Sequence, residues 1–257
     1  HCSQTGGKAE REAEKALPGL SVSQAGLGRD DLDADDMRAD KMRPRVFLLK
    51  AGSILRDQAG NILDARSSVT LIESEKERII VDTGQEGDGE VILKALADLG
   101  LEGSDIDIIV NTHSHPDHCA NNRLFSRAKT VYPKDGELIA PGVRVLATPG
   151  HSPDSISVLV DAAIHPPGGD GTAPATRIVV IAGDALPTLG NFQKRVPPAV
   201  HYDRALAVAS MNKIIAIADV VIPGHDRPFS LRKGHINQII GPKEYSLISH
   251  LTCSTGL

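Results

Sequence analysis

The feature that most constrains this chain is the segment from Asn111 to His118, because it carries four side chains able to bind a metal within six residues. The apolar run Ile106 to Val110 comes directly before it and predicts a buried strand. A strand that ends in a dense cluster of imidazoles and a carboxylate is typical of a metal site. The alternative is a polar loop that is rich in histidine by chance, and ordinary turns need no such density of ligands. The four side chains are those of His113, His115, Asp117 and His118.

The spacing inside this segment indicates that it serves more than one ion. His113 and His115 are two residues apart, so in an extended chain they point the same way and can clasp one ion. Pro116 forces a turn, after which Asp117 and His118 project from the far side. One loop can therefore supply ligands to two adjacent ions, but it does not complete the tetrahedral coordination of either ion alone.

Further ligands must come from later in the chain, and three segments offer them. Each places a histidine or an aspartate just after an apolar run, where a strand gives way to a loop. The candidates are His151 after Thr148-Pro149-Gly150, Asp184 after Ala182-Gly183, and His225 after Ile222-Pro223-Gly224.

The ordered set of His-x-His-x-Asp-His, then His, Asp and His, resembles the metallo-β-lactamase superfamily of dinuclear hydrolases. The upstream segment Ile80-Val81-Asp82-Thr83-Gly84 is similar to a signature of that family's first half, and the resemblance spans residues 45 to 230. Strands arranged in two runs between helices already favour a layered α/β fold. The resemblance sharpens this expectation to an αββα sandwich of two similar halves, with the metals at one edge of the paired sheets.

The resemblance also implies a ligand set and a mechanism. His113, His115 and His151 would hold the first ion, and Asp184 would bridge it to the second. Asp117, His118 and His225 would hold that second ion. Nitrogen and oxygen ligands favour two zinc ions, with iron, manganese or cobalt as alternatives. A hydroxide between the ions would be the nucleophile, Asp117 would be the catalytic residue that orients or shuttles the proton, and Asp82 would orient a ligand.

The bond that is cleaved stays open among ester, lactone, thioester and amide. Gly183-Asp184-Ala185-Leu186 followed by Asn191-Phe192 is similar to the lactonases, although Leu186-Pro187 stands where these usually have a tyrosine. The segment 218–225 followed by Pro228-Phe229 resembles a group that includes RNA nucleases. A nuclease or a promiscuous β-lactamase is therefore the enzymatic alternative, and a non-catalytic metal-binding module is the remaining one. His115 stands where the flavin-linked di-iron oxidoreductases usually have glutamate, which disfavours redox chemistry.

The irregular segment Leu186 to Tyr202 follows a predicted ligand and contains three prolines. Long irregular loops beside a catalytic centre often line the substrate site, although a plain crossover connection is the alternative. The candidate substrate contacts in it are Phe192, Lys194, Arg195 and Tyr202.

The composition favours a small molecule over a nucleic acid as the substrate of this chain. The net charge of -5, the absence of Trp, and only three Tyr and four Phe disfavour a nucleic-acid partner. No apolar run is long enough to span a membrane and no signal peptide is visible, so the cytoplasm is the expected location. Three widely spaced cysteines do not make a disulfide framework, and the oligomeric state stays open.

The 257 residues divide into a polar, acidic extension over 1–42, predicted to be solvated or partly disordered, and one domain over 43–257. A turn around 57–61 is expected to join strands over 45–50 and 67–73, and 162–176 is expected to be a surface loop. A helix over 203–218 is predicted, with Leu206, Ala209, Ile214 and Ile217 on its buried face. The histidines predicted to bind no metal are His165, His235 and His250.

Overall fold

A computed structural model describes residues 43–164 and 175–231. The predicted extension over 1–42, His165, and the tail with His235 and His250 lie outside the described residues. The described parts form two main sheets, a separate two-stranded hairpin and four α-helices. The helices are α1 (Gly89–Asp98), α2 (Pro116–Cys119), α3 (Leu189–Lys194) and α4 (Arg204–Ile217).

The first sheet has five strands in the order β1-β4-β5-β6-β7. Its first three strands pair in antiparallel fashion, whereas β5, β6 and β7 run parallel to one another. The strands are β1 (Arg45–Lys50), β4 (Val69–Ser74), β5 (Glu77–Val81), β6 (Ile108–Val110) and β7 (Lys129–Val131). The hairpin between β1 and β4 consists of β2 (Ser53–Arg56) and β3 (Ile62–Arg66).

The second sheet has six strands in the order β13-β12-β11-β10-β9-β8. Within it, β11 and β12 are parallel and the other neighbours are antiparallel. The strands are β8 (Leu138–Ala140), β9 (Val143–Ala147), β10 (Ile156–Ile164), β11 (Ala175–Gly183), β12 (Val220–Pro223) and β13 (Phe229–Ser230).

Three apolar clusters show how these elements are layered. The central cluster joins both sheets, for example through Val46 and Ile79 on one side and Val158 and Ile181 on the other. A second cluster packs α1 on the outer face of the first sheet, and a third packs α4 on the outer face of the second. This is the predicted αββα sandwich, and it is confirmed.

The parallel strands determine which edge of the sandwich carries the predicted ligands. Because parallel strands end at the same edge of a sheet, the residues that follow β5 and β6 emerge together. Those that follow β11 and β12 emerge together on the second sheet. The loops that contain the predicted ligands therefore start from a common edge of the sandwich.

Three local predictions were wrong. The turn near 57–61 joins β2 to β3 and does not join the two long strands, because the extra hairpin lies between them. The predicted loop over 162–176 is shorter, since β10 continues to Ile164 and β11 begins at Ala175. Helix α4 buries Ile214 as predicted, but the rest of its buried face is formed by Ala207, Ser210 and Met211 instead of the other predicted residues.

Candidate metal centre

The seven predicted ligands converge at the edge where both sheets end. The loop after β6 contributes His113 and His115, and the short helix α2 contributes Asp117 and His118. The turn after β9, the end of β11 and the turn after β12 contribute the rest: His151, Asp184 and His225. Three ligand groups lie close enough to hold ions: His113/His115/His151, His113/His118/Asp184 and Asp117/His118/His225.

The first set of ligands is made of three imidazoles. His113 Nε2 lies 3.0 Å from His115 Nδ1, and His151 Nε2 lies 2.9 Å from the same atom. His113 and His151 are buried, and His115 is half-buried towards the cavity described below.

The second set combines a carboxylate with two imidazoles. Nε2 of His118 and Nε2 of His225 are 3.4 Å apart. Asp117 Oδ2 lies 3.5 Å from the His225 nitrogen and 3.8 Å from the His118 nitrogen. The Asp117 side chain is 24% exposed, whereas His118 and His225 are almost fully buried.

Asp184 lies between the two sets and faces both. Its Oδ2 is 3.4 Å from His151 Nε2 in the first set. Its Oδ1 is 3.1 Å from His225 Nε2 and 3.5 Å from His118 Nε2 in the second. A small residue is required behind it, because a Cβ on Gly224 would lie 2.2 Å from the Asp184 Oδ1 atom.

The hydrogen bonds behind the imidazoles fix which ring nitrogens face inward. Nδ1 of His118 donates to Asp82 Oδ2 at 2.7 Å. Nδ1 of His225 donates to the Arg66 carbonyl at 3.0 Å, and Nδ1 of His151 donates to the Val200 carbonyl at 2.8 Å. Since a carboxylate and carbonyls only accept, the Nε2 atoms of the neutral rings carry lone pairs that point at one another.

Converging acceptors of this kind suit a cation. Asp184 Oδ1 is buried and has no hydrogen-bond partner among the described residues. A buried carboxylate oxygen without a donor is costly, and a bound cation removes that cost. The nitrogen and oxygen donors therefore fit one or two divalent metal ions.

Burial and charged neighbours shift the pKa values of the same groups. Burial, and then the charge on His118, lower the pKa of His113 to about 2. Burial also opposes charging of His118 and His225. Their pKa values are nevertheless raised, because Asp82 and Asp184 attract the proton on His118 and Asp184 attracts the proton on His225. Burial opposes ionisation of Asp184 too, but the neighbouring imidazoles of His118 and His225 hold its pKa well below the ordinary value.

Asp82 supports His118 from an unusual backbone conformation. Its φ of +57° is in the left-handed region, which aspartate tolerates better than most residues. Its carboxylate accepts from the Thr112 amide at 2.7 Å and from the Thr112 hydroxyl at 2.8 Å, besides the His118 ring. The position predicted to orient a ligand thus lies where it can do so.

Comparisons with known proteins agree with this geometry. A family model described as the metallo-β-lactamase superfamily matches residues 64–134. A probable metallo-hydrolase of Methanocaldococcus jannaschii is 35% identical over 193 residues, which cover 70% of this chain and 86% of the relative. The chain belongs to the metallo-β-lactamase superfamily. It is a metal-dependent hydrolase of that superfamily, as the sequence predicted.

Two further members extend the comparison. Metallo-beta-lactamase domain-containing protein 1 of Xenopus laevis is 32% identical over 196 residues, covering 69% of this chain and 78% of the relative. A solved N-acyl homoserine lactone hydrolase, with the product N-hexanoyl-L-homoserine at its catalytic metal center, aligns with a TM-score of 0.54. The two sequences are 22% identical, and the alignment covers 72% of this chain and 94% of the hydrolase. The comparison shows that the two proteins share a fold.

A cavity of about 480 Å³ opens beside the candidate metal centre of this superfamily member. His115, Asp117, His151, Asp184 and His225 form its floor. One wall comes from the hairpin, through Ile54, Arg56, Ile62 and Ala65. The other comes from the segment 187–200, through α3 and a run of prolines.

Only Lys194, among the four residues predicted to contact the substrate, lines this cavity. Phe192 instead packs on the core, with its ring 5.5 Å from that of Phe229. Arg195 covers the Phe192 ring at 5.0 Å, and Tyr202 is 61% exposed at the surface. The segment 187–200 forms one wall of the cavity. Within it, α3 packs the Phe192 ring against the apolar core and not into the cavity.

Three supports of this site were not predicted from the sequence: the Arg66 carbonyl, the Val200 carbonyl and the hairpin wall. Arg66 and Val200 act through backbone carbonyls, and every residue has a carbonyl, so no sequence signal marks them. The hairpin wall had a detectable signal, since short apolar segments flank the turn at Asp57 to Asn61.

Within the described ranges, no helix has the length and apolar character needed to cross a membrane.

Proposed function

We propose that this chain is a dinuclear zinc-dependent hydrolase that cleaves an ester, lactone, thioester or amide bond in a small molecule. The observation that carries the proposal is the placement of Asp184, whose two oxygens face two separate ligand sets. A carboxylate in that position can hold two cations at a fixed spacing and reduce their mutual repulsion.

The residues then have distinct roles. His113, His115 and His151 would hold one ion, Asp117, His118 and His225 the other, and Asp184 would bridge them. Zinc suits nitrogen and oxygen donors, and iron, manganese and cobalt remain alternatives. When bound, the two ions would polarise the substrate carbonyl and lower the pKa of a water molecule.

Asp117 is the proposed proton carrier. It is the most exposed of the second set, and it lines the cavity, so solvent and substrate can both reach its carboxylate. It would take a proton as the water oxygen bonds to the carbonyl carbon, and return a proton to the leaving group as the old bond breaks. Serine or cysteine catalysis is not needed for this scheme.

The cavity supports a small substrate that is partly apolar. Ile54, Ile62, Pro187 and Val196 line it above the ligands, so an acyl or alkyl part would be buried against them. The similar fold of the N-acyl homoserine lactone hydrolase makes lactones the first class to test.

Phosphodiester hydrolysis is the second candidate, and one observation favours it. Arg56 and Lys194 line opposite walls of the cavity. Arg56 Nη1 donates to the Gly60 carbonyl at 2.9 Å, and neither cation is paired with a carboxylate among the described residues. Two available cations would suit a substrate with a phosphate group.

The test is a substrate panel on one zinc-loaded preparation, covering lactones, thioesters, aryl esters, β-lactams and short RNA. We expect turnover of a carboxylic ester, lactone or thioester that is lost on chelation and restored by zinc. Turnover of RNA alone would favour the second candidate. A preparation that binds zinc but turns over none of these substrates would contradict a hydrolytic role.

A further inference from the structure

A partly buried cluster of charged side chains lies behind the second ligand set and does not line the cavity. It consists of Asp88, Lys50 and Arg66, which we call the charged cluster. Asp88 Oδ1 is 2.6 Å from Arg66 Nη1, and Asp88 Oδ2 is 3.3 Å from Lys50 Nζ. The side chains of Asp88 and Lys50 are only 4% and 11% exposed, whereas that of Arg66 is 36% exposed.

Burial of these charges is costly, and their mutual attraction offsets only part of that cost. Burial lowers the pKa of Lys50, and Asp88 partly restores it. Asp88 also stands at the start of α1, where the helix dipole favours a negative charge. A buried ion cluster often adds little to the stability of a protein. We therefore ask which neighbouring groups these three side chains hold in place.

The first such contact leads to His225. The Arg66 side chain is held by Asp88 and, at 2.8 Å, by Asp64. Lys50 Nζ donates to the Ser67 carbonyl at 3.0 Å, so the backbone beside Arg66 is held as well. The Arg66 carbonyl accepts the hydrogen bond from His225 Nδ1 that turns Nε2 of this ring towards Asp184.

The second contact leads to the loop that supports His118. Asp88 Oδ2 accepts from the Gln85 amide at 3.0 Å. Gly84, with φ of +74°, lies so close that an added Cβ would be 3.0 Å from the same oxygen. This loop follows Asp82, whose carboxylate holds His118 Nδ1. Asp88 therefore contacts the side chain of Arg66, whose carbonyl orients His225, and the loop that follows Asp82, which orients His118.

Among the described residues, the direct supports of the first set make no contact with the charged cluster. His151 is oriented by the Val200 carbonyl, which belongs to the cavity wall. His113 Nδ1 lies 3.2 Å from the Thr112 hydroxyl, which itself donates to Asp82 Oδ2 at 2.8 Å. Neither contact includes a member of the charged cluster.

We propose that Asp88, together with Lys50 and Arg66, is a positioning residue for the second cation, and that it sets the affinity of that position without affecting the first. The inference rests on the proposed two-ion function. It assigns to a buried ion cluster a selective role in metal occupancy. Its members touch neither substrate nor metal, so they act through Arg66, Gln85 and the two histidines.

The test compares full-length Asp88→Asn with Asp64→Asn, which removes the other, more exposed carboxylate on Arg66. Stepwise zinc affinities are measured by competition with a chelator, and the Co²⁺ absorption spectrum reports the geometry of each occupied position. In Asp88→Asn we expect the second ion to bind about ten- to a hundredfold more weakly, as for other residues that orient metal ligands. The first ion should change by less than about twofold, and Asp64→Asn should resemble the wild type.

Equal weakening of both ions, or unchanged affinities in a variant that is merely less heat-stable, would overturn the proposal. If Asp88→Asn does not fold, Arg66→Met decides, since it keeps the backbone carbonyl and the Asp88–Lys50 pair but removes the ion pair through which Asp88 holds Arg66. It should show the same selective loss of the second ion, and unchanged affinities would again overturn the proposal. The wild type is measured first: a wild-type ceiling of one ion would refute the two-ion function itself, separately from any result on the variants.

Discussion

The two ligand sets differ in what holds them. Both sets border the cavity, but the groups that contact the first set directly are neutral, the Thr112 hydroxyl and the Val200 carbonyl. The supports of the second set carry charge or are held by charge, through Asp82 and through Arg66. The carbonyl that orients His151 belongs to segment 187–200, and the carbonyl that orients His225 belongs to the last residue of β3, whose side chain is paired with Asp88.

This difference predicts which substitutions should weaken the binding of each ion. Loss of a charged support should weaken the second position selectively, because a buried imidazole without its carboxylate partner loses both orientation and basicity. The first position should depend more on the conformation of segment 187–200. Asp184 is common to both sets, so its replacement should have the largest effect.

Asp184→Asn removes the shared negative charge and keeps the shape. Each position retains three other candidate ligands, so we expect a folded protein that still binds at least one ion. Turnover should fall by about a hundredfold or more, because the spacing of the two ions and the position of the reacting water are lost. Metal content, circular dichroism and steady-state kinetics on one preparation check this. Near-wild-type turnover with two ions bound would exclude the bridging role.

Asp82→Asn separates the two sets. Asparagine tolerates the left-handed backbone at this position, so the change removes charge with little backbone strain. We expect the second ion to bind about ten- to a hundredfold more weakly, since the His118 ring loses the carboxylate that orients it. Chelator competition measures both ions. The first ion should change less, because Asp82 reaches His113 only through the Thr112 hydroxyl. A uniform loss at both positions would remove the contrast drawn between them.

Lys194→Met examines the cavity wall and should have the smallest effect. Lys194 is exposed, so we expect the KM for an anionic substrate to rise by no more than about fivefold while kcat is unchanged. Arg195→Met is the matched control, because this neighbouring cation lies over Phe192 and outside the cavity. Steady-state kinetics on a charged and an uncharged substrate of equal length make the comparison. An equal effect of both variants would show that the charge at 194 has no specific contact.

The sequence was most informative where function requires a particular side chain at a strand end. The residues from His113 to His225 that were predicted as ligands all meet at one edge, because each follows a strand whose apolar run is visible in the sequence. The layered fold was predictable for the same reason, aided by the resemblance. The ligand roles themselves, and the division into residues 1–42 and 43–257, stay predictions.

Packing between distant elements was less predictable. Helix α4 is rich in small and apolar residues on every side, so its sequence does not single out a buried face. Ser210 is buried there because its hydroxyl donates to the Pro149 carbonyl, while the predicted face members Leu206 and Ile217 are partly exposed. Phe192 posed the same difficulty, since an aromatic residue beside a ligand suits a pocket and a core equally well.

The central claim is that two cation positions share Asp184, and counting bound ions in the wild-type protein tests it most directly. Metal-free protein would be titrated with zinc, dialysed, and analysed for zinc and protein on the same sample. The account predicts close to two zinc ions per chain, released in two steps by a chelator. Saturation at one ion per chain, with no second step at any zinc concentration that leaves the protein folded, would contradict it.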